Sequence, residues 1–148
     1  MTQLGIQIIP TMPVDEVIET GVMAEELGYD FCLLADEGFM PDVYVALGAI
    51  ALRTKRMRLG PVTNGYTRHP AVTANAIATL DDLSGGRALA TLVAGGSMVL
   101  NPMGIPREAP LTVMRETIAI LRALWSGEEV VWQGKRYALQ RARLHSQR

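Results

Sequence analysis

The chain has 148 residues, of which 49% are hydrophobic and 20% are charged. This composition predicts a globular domain and excludes a disordered chain, because many apolar side chains and few charges favour a buried core. A formal net charge of −1 gives no basic surface for nucleic acid or an anionic membrane. No basic-then-apolar signal opens the sequence, and its longest apolar run, 43–52, is about half of a bilayer span, so we expect a cytoplasmic protein.

Short apolar segments alternate with amphipathic segments along most of the chain. The apolar segments predict strands at 4–9, 31–34, 57–59 and 88–93. The amphipathic segments predict helices at 14–27, 42–52, 71–83 and 111–125. Strand starts at 4, 31, 57 and 88 repeat at intervals of about 26 to 31 residues. Uniformly apolar strands that alternate with helices predict a parallel sheet covered by helices.

The repeat length is that of a TIM barrel, whose eight units need roughly 250 residues. We therefore predict an α/β fold, the first half of a TIM (β/α)8 barrel, with four parallel βα units at about 4–126. A β-hairpin that turns at Gln133-Gly134 and a solvated tail, 140–148, complete this single partial-barrel domain. A doubly wound sheet is the rival architecture, but no Gly-x-Gly-x-x-Gly follows the first strand.

Two residue types are expected to end the third strand early. Gly60 packs poorly within a strand, and Pro61 lacks the N–H that a central strand donates. Pro70 suits the first turn of the helix that follows. His69, directly before this proline, is equally compatible with a cap on that helix and with a place in the site.

Polar side chains or glycines follow each of the four predicted strands. They are Gln7 with Thr11, Asp36 with Glu37, the loop 63–69, and Gly95-Gly96-Ser97. In a parallel barrel the carboxyl ends of all strands open on one face, where active sites lie. We therefore expect these groups to surround one pocket that binds a small molecule.

Each group also has a purely structural interpretation. Gln7 is equally compatible with a hydrogen bond between strands and with a ligand contact. Asp36 and Glu37 could cap the second helix, although two carboxylates after an apolar strand favour a functional role. Gly95-Gly96 could form a simple turn, but backbone without side chains lets a flat ligand approach closely.

Several chemistries lack the residues that they need. His69 and His145 are far apart in sequence and Cys32 is the only cysteine, so no spacing of metal ligands exists and we expect no metal site. Ser97 lacks the Gly-x-Ser-x-Gly elbow of a hydrolase. Cys32 lies in an apolar run and is interpreted as a core residue.

Four segments, 35–45, 63–70, 83–87 and 94–97, resemble the luciferase-like flavin-dependent oxidoreductases. Within that superfamily they are most similar to the branch that uses coenzyme F420, typified by methylenetetrahydromethanopterin reductase. The segment Thr-Asn-x-Tyr-Thr-Arg-His-Pro, 63–70, is the most specific of the four.

The resemblance implies a TIM barrel that binds a flavin or deazaflavin ring at the strand carboxyl ends. It places Asp36 and Glu37 beside the ring as an acidic and an acid/base residue. It places a non-proline cis peptide, with its bulge, near Pro61-Val62. The remaining contacts to the ring are implied for Gln7, Thr63, Asn64, Gly95, Gly96 and Ser97.

The implied reaction is hydride transfer between C5 of F420 and a small organic substrate. The implied assembly is a homodimer through the second and third helices. We keep two alternatives: an FMN-dependent monooxygenase of the same superfamily, and a non-catalytic fragment that needs a second chain to complete the barrel. We expect the chain to correspond to the N-terminal half of such an enzyme, without the phosphate site after strands seven and eight.

Overall fold

A computed structural model describes residues 2–145 and shows a four-stranded parallel sheet followed by an antiparallel hairpin. The strands of the sheet are β1 (Gly5–Ile8), β2 (Phe31–Ala35), β3 (Arg58–Thr63) and β4 (Thr91–Leu92), in that spatial order. The helices are α1 (Val14–Glu26), α2 (Val43–Arg53), α3 (Pro70–Ser84), α4 (Ser97–Leu100) and α5 (Pro110–Leu124). The hairpin consists of β5 (Val130–Gln133) and β6 (Ala138–Ala142). The predicted fold class, four parallel βα units plus a hairpin, is confirmed.

The core lies between one face of the sheet and the helices that connect its strands. Alternate strand residues point to this face, because successive side chains of a strand alternate. Cys32, Leu34 and Leu59 are completely buried there. A second core joins α3, α5 and the hairpin, and its buried members are Ala74, Ile77, Ile120, Leu121, Leu124, Val130 and Leu139.

The prediction that Gly60 and Pro61 end β3 is wrong, because the strand continues through both to Thr63. Leu59 is bridged to Ala88, and pairing with β4 resumes only at Val62. Pro61 falls in the gap between these contacts, where its missing N–H costs no ladder hydrogen bond. The predicted fourth strand, 88–93, is correspondingly reduced to two residues plus that bridge.

Gly60 is required by a close backbone contact. A Cβ at this position would lie 2.0 Å from the carbonyl oxygen of Leu89. That distance is far below van der Waals contact, so only glycine allows the chains to approach here.

The helix boundaries lie close to the predicted ones, and local residues explain them. Asp42 caps α2 by accepting hydrogen bonds from the backbone N–H groups of Tyr44 and Val45. α3 ends at Gly85 in the left-handed conformation, φ 75°, as expected for a helix C-cap. The short α4 was not predicted from the sequence.

Arg87 fastens the beginning of β3 to two helix ends. Its guanidinium donates to the carbonyl oxygens of Ser84, Ala51, Met57 and Thr54 at 2.7–3.0 Å. It also donates to the Thr54 hydroxyl at 3.0 Å. All five guanidinium N–H donors of an arginine can be satisfied by such a cage of oxygens.

The hairpin turn is held by one carboxylate of α5. Glu116 accepts hydrogen bonds from the backbone N–H groups of Lys135, Arg136 and Tyr137 at 2.7, 3.0 and 3.1 Å. Burial opposes ionisation of Glu116, but these three donors outweigh it, so the pKa of the carboxyl lies below its ordinary value. β6 begins directly after this turn and runs to Ala142, so residues 140–142 of the expected tail belong to the hairpin, where Gln140 and Arg141 are exposed. Residues 146–148 lie outside the described part of the chain.

Glu116→Gln is expected to lower the free energy of unfolding by about 2 kcal/mol at pH 7, because hydrogen bonds to a charged acceptor are lost. The native pKa lies below the unfolded value of 4.5. The stabilisation is therefore fully present above pH 4.5 and is lost as the pH falls through the native pKa. Urea denaturation of both proteins between pH 3 and 7 should show the difference shrinking towards acid, whereas the exposed Glu128→Gln should match wild type throughout. A difference that is independent of pH would contradict this account.

Cys32 is completely buried, and burial raises the pKa of its thiol to about 11. The thiolate is the reactive form of cysteine. We expect no reaction with a thiol reagent such as DTNB at pH 8 in the folded protein and one thiol per chain in denaturant. Rapid reaction of the native protein would contradict the buried position of β2.

None of the helices in residues 2–145 is both long and apolar enough to cross a membrane.

Candidate active site

A cleft of about 480 Å³ opens at the carboxyl ends of the four parallel strands. Every strand contributes to it, since the loops after parallel strands meet at one edge of the sheet. Its lining includes Gln7, Asp36, Glu37, Val62 and Asn64 together with the segment 93–99. The structure thus brings together eight of the ten predicted site residues: Gln7, Asp36, Glu37, Val62, Asn64, Gly95, Gly96 and Ser97.

Asp36 follows β2 and is fixed on one of its two carboxylate oxygens. The Thr63 hydroxyl donates to Asp36 Oδ2 at 3.1 Å, and Arg68 Nε lies 3.9 Å from the same oxygen. The side chain is 12% exposed. Asp36 is therefore oriented by the neighbouring strand while it still lines the cleft.

Glu37 differs from Asp36 although the two are adjacent in sequence. Its side chain is half-buried at the cleft wall. Within residues 2–145 its carboxylate makes no hydrogen bond or ion pair, so both oxygens are available to a ligand. A carboxylate in that position can accept or donate a proton during a reaction.

Pro61 and Thr63 are the two predicted site residues that do not line the cleft. Pro61 is buried, and Thr63 is completely buried with its hydroxyl turned to Asp36. The expected cis peptide near Pro61-Val62 is wrong, because every described peptide bond is trans. The expected bulge is absent as well, since β3 keeps its register with β2 and with β4 through Val62.

The loop after β3 is organised by a buried amide. Asn64 Oδ1 accepts hydrogen bonds from the backbone N–H groups of Tyr66 and Thr67 at 2.8 and 3.0 Å. This is the turn that asparagine favours, in which the side chain mimics a backbone carbonyl. The remaining polar group of Asn64 is its NH₂, a donor at the cleft wall.

The glycine segment before α4 forms another part of the lining. Gly95 has φ +78°, and a Cβ there would lie 3.0 Å from the Tyr66 ring and from Leu100. Arg107 Nε donates to the carbonyl oxygens of Ala94 and Gly95 at 3.1 and 2.8 Å. Around Gly96 nothing lies within 4 Å of a Cβ position, so bare backbone faces open space.

His69 caps α3 in the structure. Its Nδ1 accepts a hydrogen bond from the Ala71 backbone N–H at 3.2 Å, and its ring contacts Tyr137 edge-on at 5.4 Å. The Tyr137 hydroxyl in turn donates to the carbonyl oxygen of Gly65. Of the two sequence interpretations, the cap is the observed one, and the hairpin supports the site loop.

Sequence reasoning missed Arg107 as a residue that shapes the site, and it placed Tyr66 and Arg68 in the loop 63–69 without identifying their partners. They act through long-range contacts, such as that of the Tyr66 hydroxyl with the Glu108 carbonyl oxygen at 2.7 Å. Their positions after a strand or before a helix carried a weak signal, but their partners are far away in sequence.

Comparisons with known proteins agree with this geometry. A family model described as luciferase-like monooxygenase matches residues 2–148. The 5,10-methylenetetrahydromethanopterin reductase of Methanolobus tindarius is 39% identical over 131 residues, which are 88% of this chain and 40% of that protein. The F420-dependent glucose-6-phosphate dehydrogenase of Microbacterium testaceum is 32% identical over 144 residues, covering 88% of this chain and 43% of that protein.

A solved structure is also similar over nearly the whole chain. The coenzyme F420 dependent tetrahydromethanopterin reductase from Methanopyrus kandleri matches with a TM-score of 0.91 and 30% identity. The match covers 97% of this chain and 46% of that one. The chain thus spans less than half the length of these relatives.

Four parallel βα units with a cleft at their carboxyl ends define half of a TIM-barrel enzyme scaffold. With the matched family model, the chain belongs to the luciferase-like monooxygenase family. The resemblance stated from the sequence is confirmed, and the match fits the N-terminal half.

Proposed function

We propose that the protein is an F420-dependent oxidoreductase that transfers a hydride between the deazaflavin and a small organic substrate. The observation that carries the proposal is the shared cleft, which is lined by the Glu37 carboxylate, without a hydrogen bond or ion pair in residues 2–145, and by the backbone of Gly95 and Gly96. The similar proteins from Methanopyrus kandleri and Microbacterium testaceum are F420-dependent, which supports this cofactor for the present chain.

The residues present fit a planar ring. Apolar Val62 and Ala35 form part of the floor, and the absence of side chains at Gly96 leaves room for close approach. Asn64 offers a donor to ring oxygens, and Gln7 offers both a donor and an acceptor. A bound deazaflavin would supply the hydride chemistry at C5.

The two carboxylates have separable roles in this proposal. Asp36, held by Thr63 and Arg68, orients the ligand. Glu37 holds or accepts the proton at its free carboxylate oxygens when the substrate gains or loses hydride. The Asp36 side chain is 12% exposed, so little of it contacts water.

The cofactor assignment is tested by titrating the protein with F420 and with FMN while cofactor fluorescence and oxygen consumption are measured. We expect tighter binding of F420 and no oxygen consumption. Tighter binding of FMN together with oxygen consumption would support the FMN-dependent monooxygenase instead. Gly96→Val should weaken binding by filling the cleft, and its thermal unfolding should remain that of wild type.

We propose that the protein forms a homodimer through α2 and α3. Both helices expose large apolar side chains, and those with the largest exposed fractions are Val45 (70%), Leu52 (69%) and Val72 (54%). Analytical ultracentrifugation should give a dimer for wild type and a monomer for Val45→Glu. The exposed Val131, on the hairpin, provides the matched control, since Val131→Glu should leave the dimer intact.

A second chain that completes the barrel is the other proposed partner. In residues 2–145, β1 and β4 each have one unpaired edge, and the sheet face that carries Gln7 is open. Exposed edges favour pairing with further strands. The isolated chain should bind an apolar dye at its open sheet face. It should lose that binding when a chain that supplies the remaining strands of the barrel is added.

A further inference from the structure

Arg68 lies between two carboxylates at the edge of the candidate site. Its Nε is 3.9 Å from Asp36 Oδ2, and one terminal nitrogen forms an ion pair with Asp42 Oδ2. The side chain is 29% exposed, so solvent screens these contacts only partly. Arg68 therefore links the loop after β3 to the loop after β2 and to the start of α2.

The guanidinium of Arg68 is itself fixed on the side away from Asp36. Asp42 is the N-cap of α2, and its Oδ1 accepts from Tyr44 N at 2.9 Å and from Val45 N at 3.2 Å. The Cζ of Arg68 lies 4.4 Å from the centroid of the Tyr44 ring, a cation–π contact. The N-cap and first turn of α2 thus hold the Arg68 guanidinium in one position.

Asp36 receives its constraints on a single oxygen. The Thr63 hydroxyl donates to Oδ2 at 3.1 Å, and the arginine approaches the same atom. Within residues 2–145, Oδ1 makes no hydrogen bond, which leaves it to a ligand in the cleft. The rotation of the carboxylate is thereby determined by Thr63 and Arg68 together.

We infer that Arg68 is a positioning residue for Asp36, through which the start of α2 sets the direction of the site carboxylate. The inference rests on the proposed function for the role of Asp36 towards a cofactor. Lysine cannot replace arginine here, because one ammonium group does not provide the planar fork that spans two carboxylates. Asp42 and Tyr44 hold the Arg68 guanidinium in place, and neither residue lines the cleft.

The test is a double-mutant cycle on the full chain with Arg68→Met, Asp36→Asn and the double variant, read out as the dissociation constant for F420. We expect each single variant to bind about tenfold more weakly, and the double variant no more weakly than Asp36→Asn alone, because residues that act as one unit are not additive. Arg68→Lys should resemble Arg68→Met. Arg53→Met is the matched control, since Arg53, the last residue of α2, also pairs with a carboxylate, that of the exposed Glu19 on α1, and the affinity of this variant should equal that of wild type.

Additive effects in the cycle, or full rescue by Arg68→Lys, would overturn the inference, since a purely structural arginine predicts both. A crystal structure of Arg68→Met provides a measurement that does not depend on the cofactor. We expect the Asp36 carboxylate to rotate away from Thr63 in that variant, and an unmoved carboxylate would also overturn the inference. If wild type binds no F420 but the carboxylate rotates, the proposed function fails and the positioning role stands.

Discussion

Glu37→Gln is expected to lower the turnover of the active enzyme by about 10²- to 10⁴-fold, the usual contribution of a positioned acid or base. Glutamine keeps the shape of the side chain but cannot hold or release the proton. Because the Glu37 carboxylate makes no hydrogen bond or ion pair within residues 2–145, the substitution should leave folding unchanged. Steady-state kinetics, with the interconversion of oxidised and reduced F420 followed by absorbance, measure the effect.

Two further variants make this result interpretable. Glu129→Gln removes a carboxylate whose ion pair with Arg141 lies on the hairpin, and it should keep wild-type turnover. Glu37→Asp retains an acid at a shorter reach and should recover part of the rate. Turnover of Glu37→Gln equal to that of wild type would remove Glu37 from the mechanism.

Gly60→Ala is expected to destabilise the fold by about 3 kcal/mol or more, because overpacking a backbone contact leaves no side chain that can yield. The new Cβ would lie 2.0 Å from the Leu89 carbonyl oxygen, so β3 and the segment before β4 would have to separate. Urea denaturation followed by circular dichroism measures the loss.

Gly5→Ala is the matched control for this prediction. Gly5 also lies in a strand of the parallel sheet, but a Cβ there would meet Phe31 at an ordinary 3.5 Å. Its unfolding midpoint should stay near that of wild type. Equal midpoints for the two variants would show that the contact between Gly60 and Leu89 is not tight in solution.

Local sequence patterns account for most of the fold. The strands and helices could be predicted because apolar runs and helical periodicity are local signals. The third strand was predicted too short because Gly60 and Pro61 disfavour strands in general. The missing signal was long-range: a backbone approach from Leu89 and a gap in pairing where Pro61 has no hydrogen bond to lose.

The location of the candidate site was also predictable, since the polar residues follow the strands of a parallel sheet. The difference between Asp36 and Glu37 was not. It depends on Thr63 and Arg68, which are 27 and 32 residues further along the chain and meet Asp36 only after folding. At the end of the third strand, Val62 and Asn64 therefore line the cleft, whereas Thr63 and Arg68 support Asp36.

The hairpin has a consequence for protein engineering. Tyr137, whose backbone N–H is bound by Glu116, donates its hydroxyl hydrogen bond to the carbonyl oxygen of Gly65. A substitution in the hairpin can therefore shift the loop after β3 at the candidate site. Chimeras between relatives should therefore exchange the arm and the β3 loop as one cassette. Exchanging only the hairpin or only the β3 loop is expected to disturb the contact between Tyr137 and Gly65.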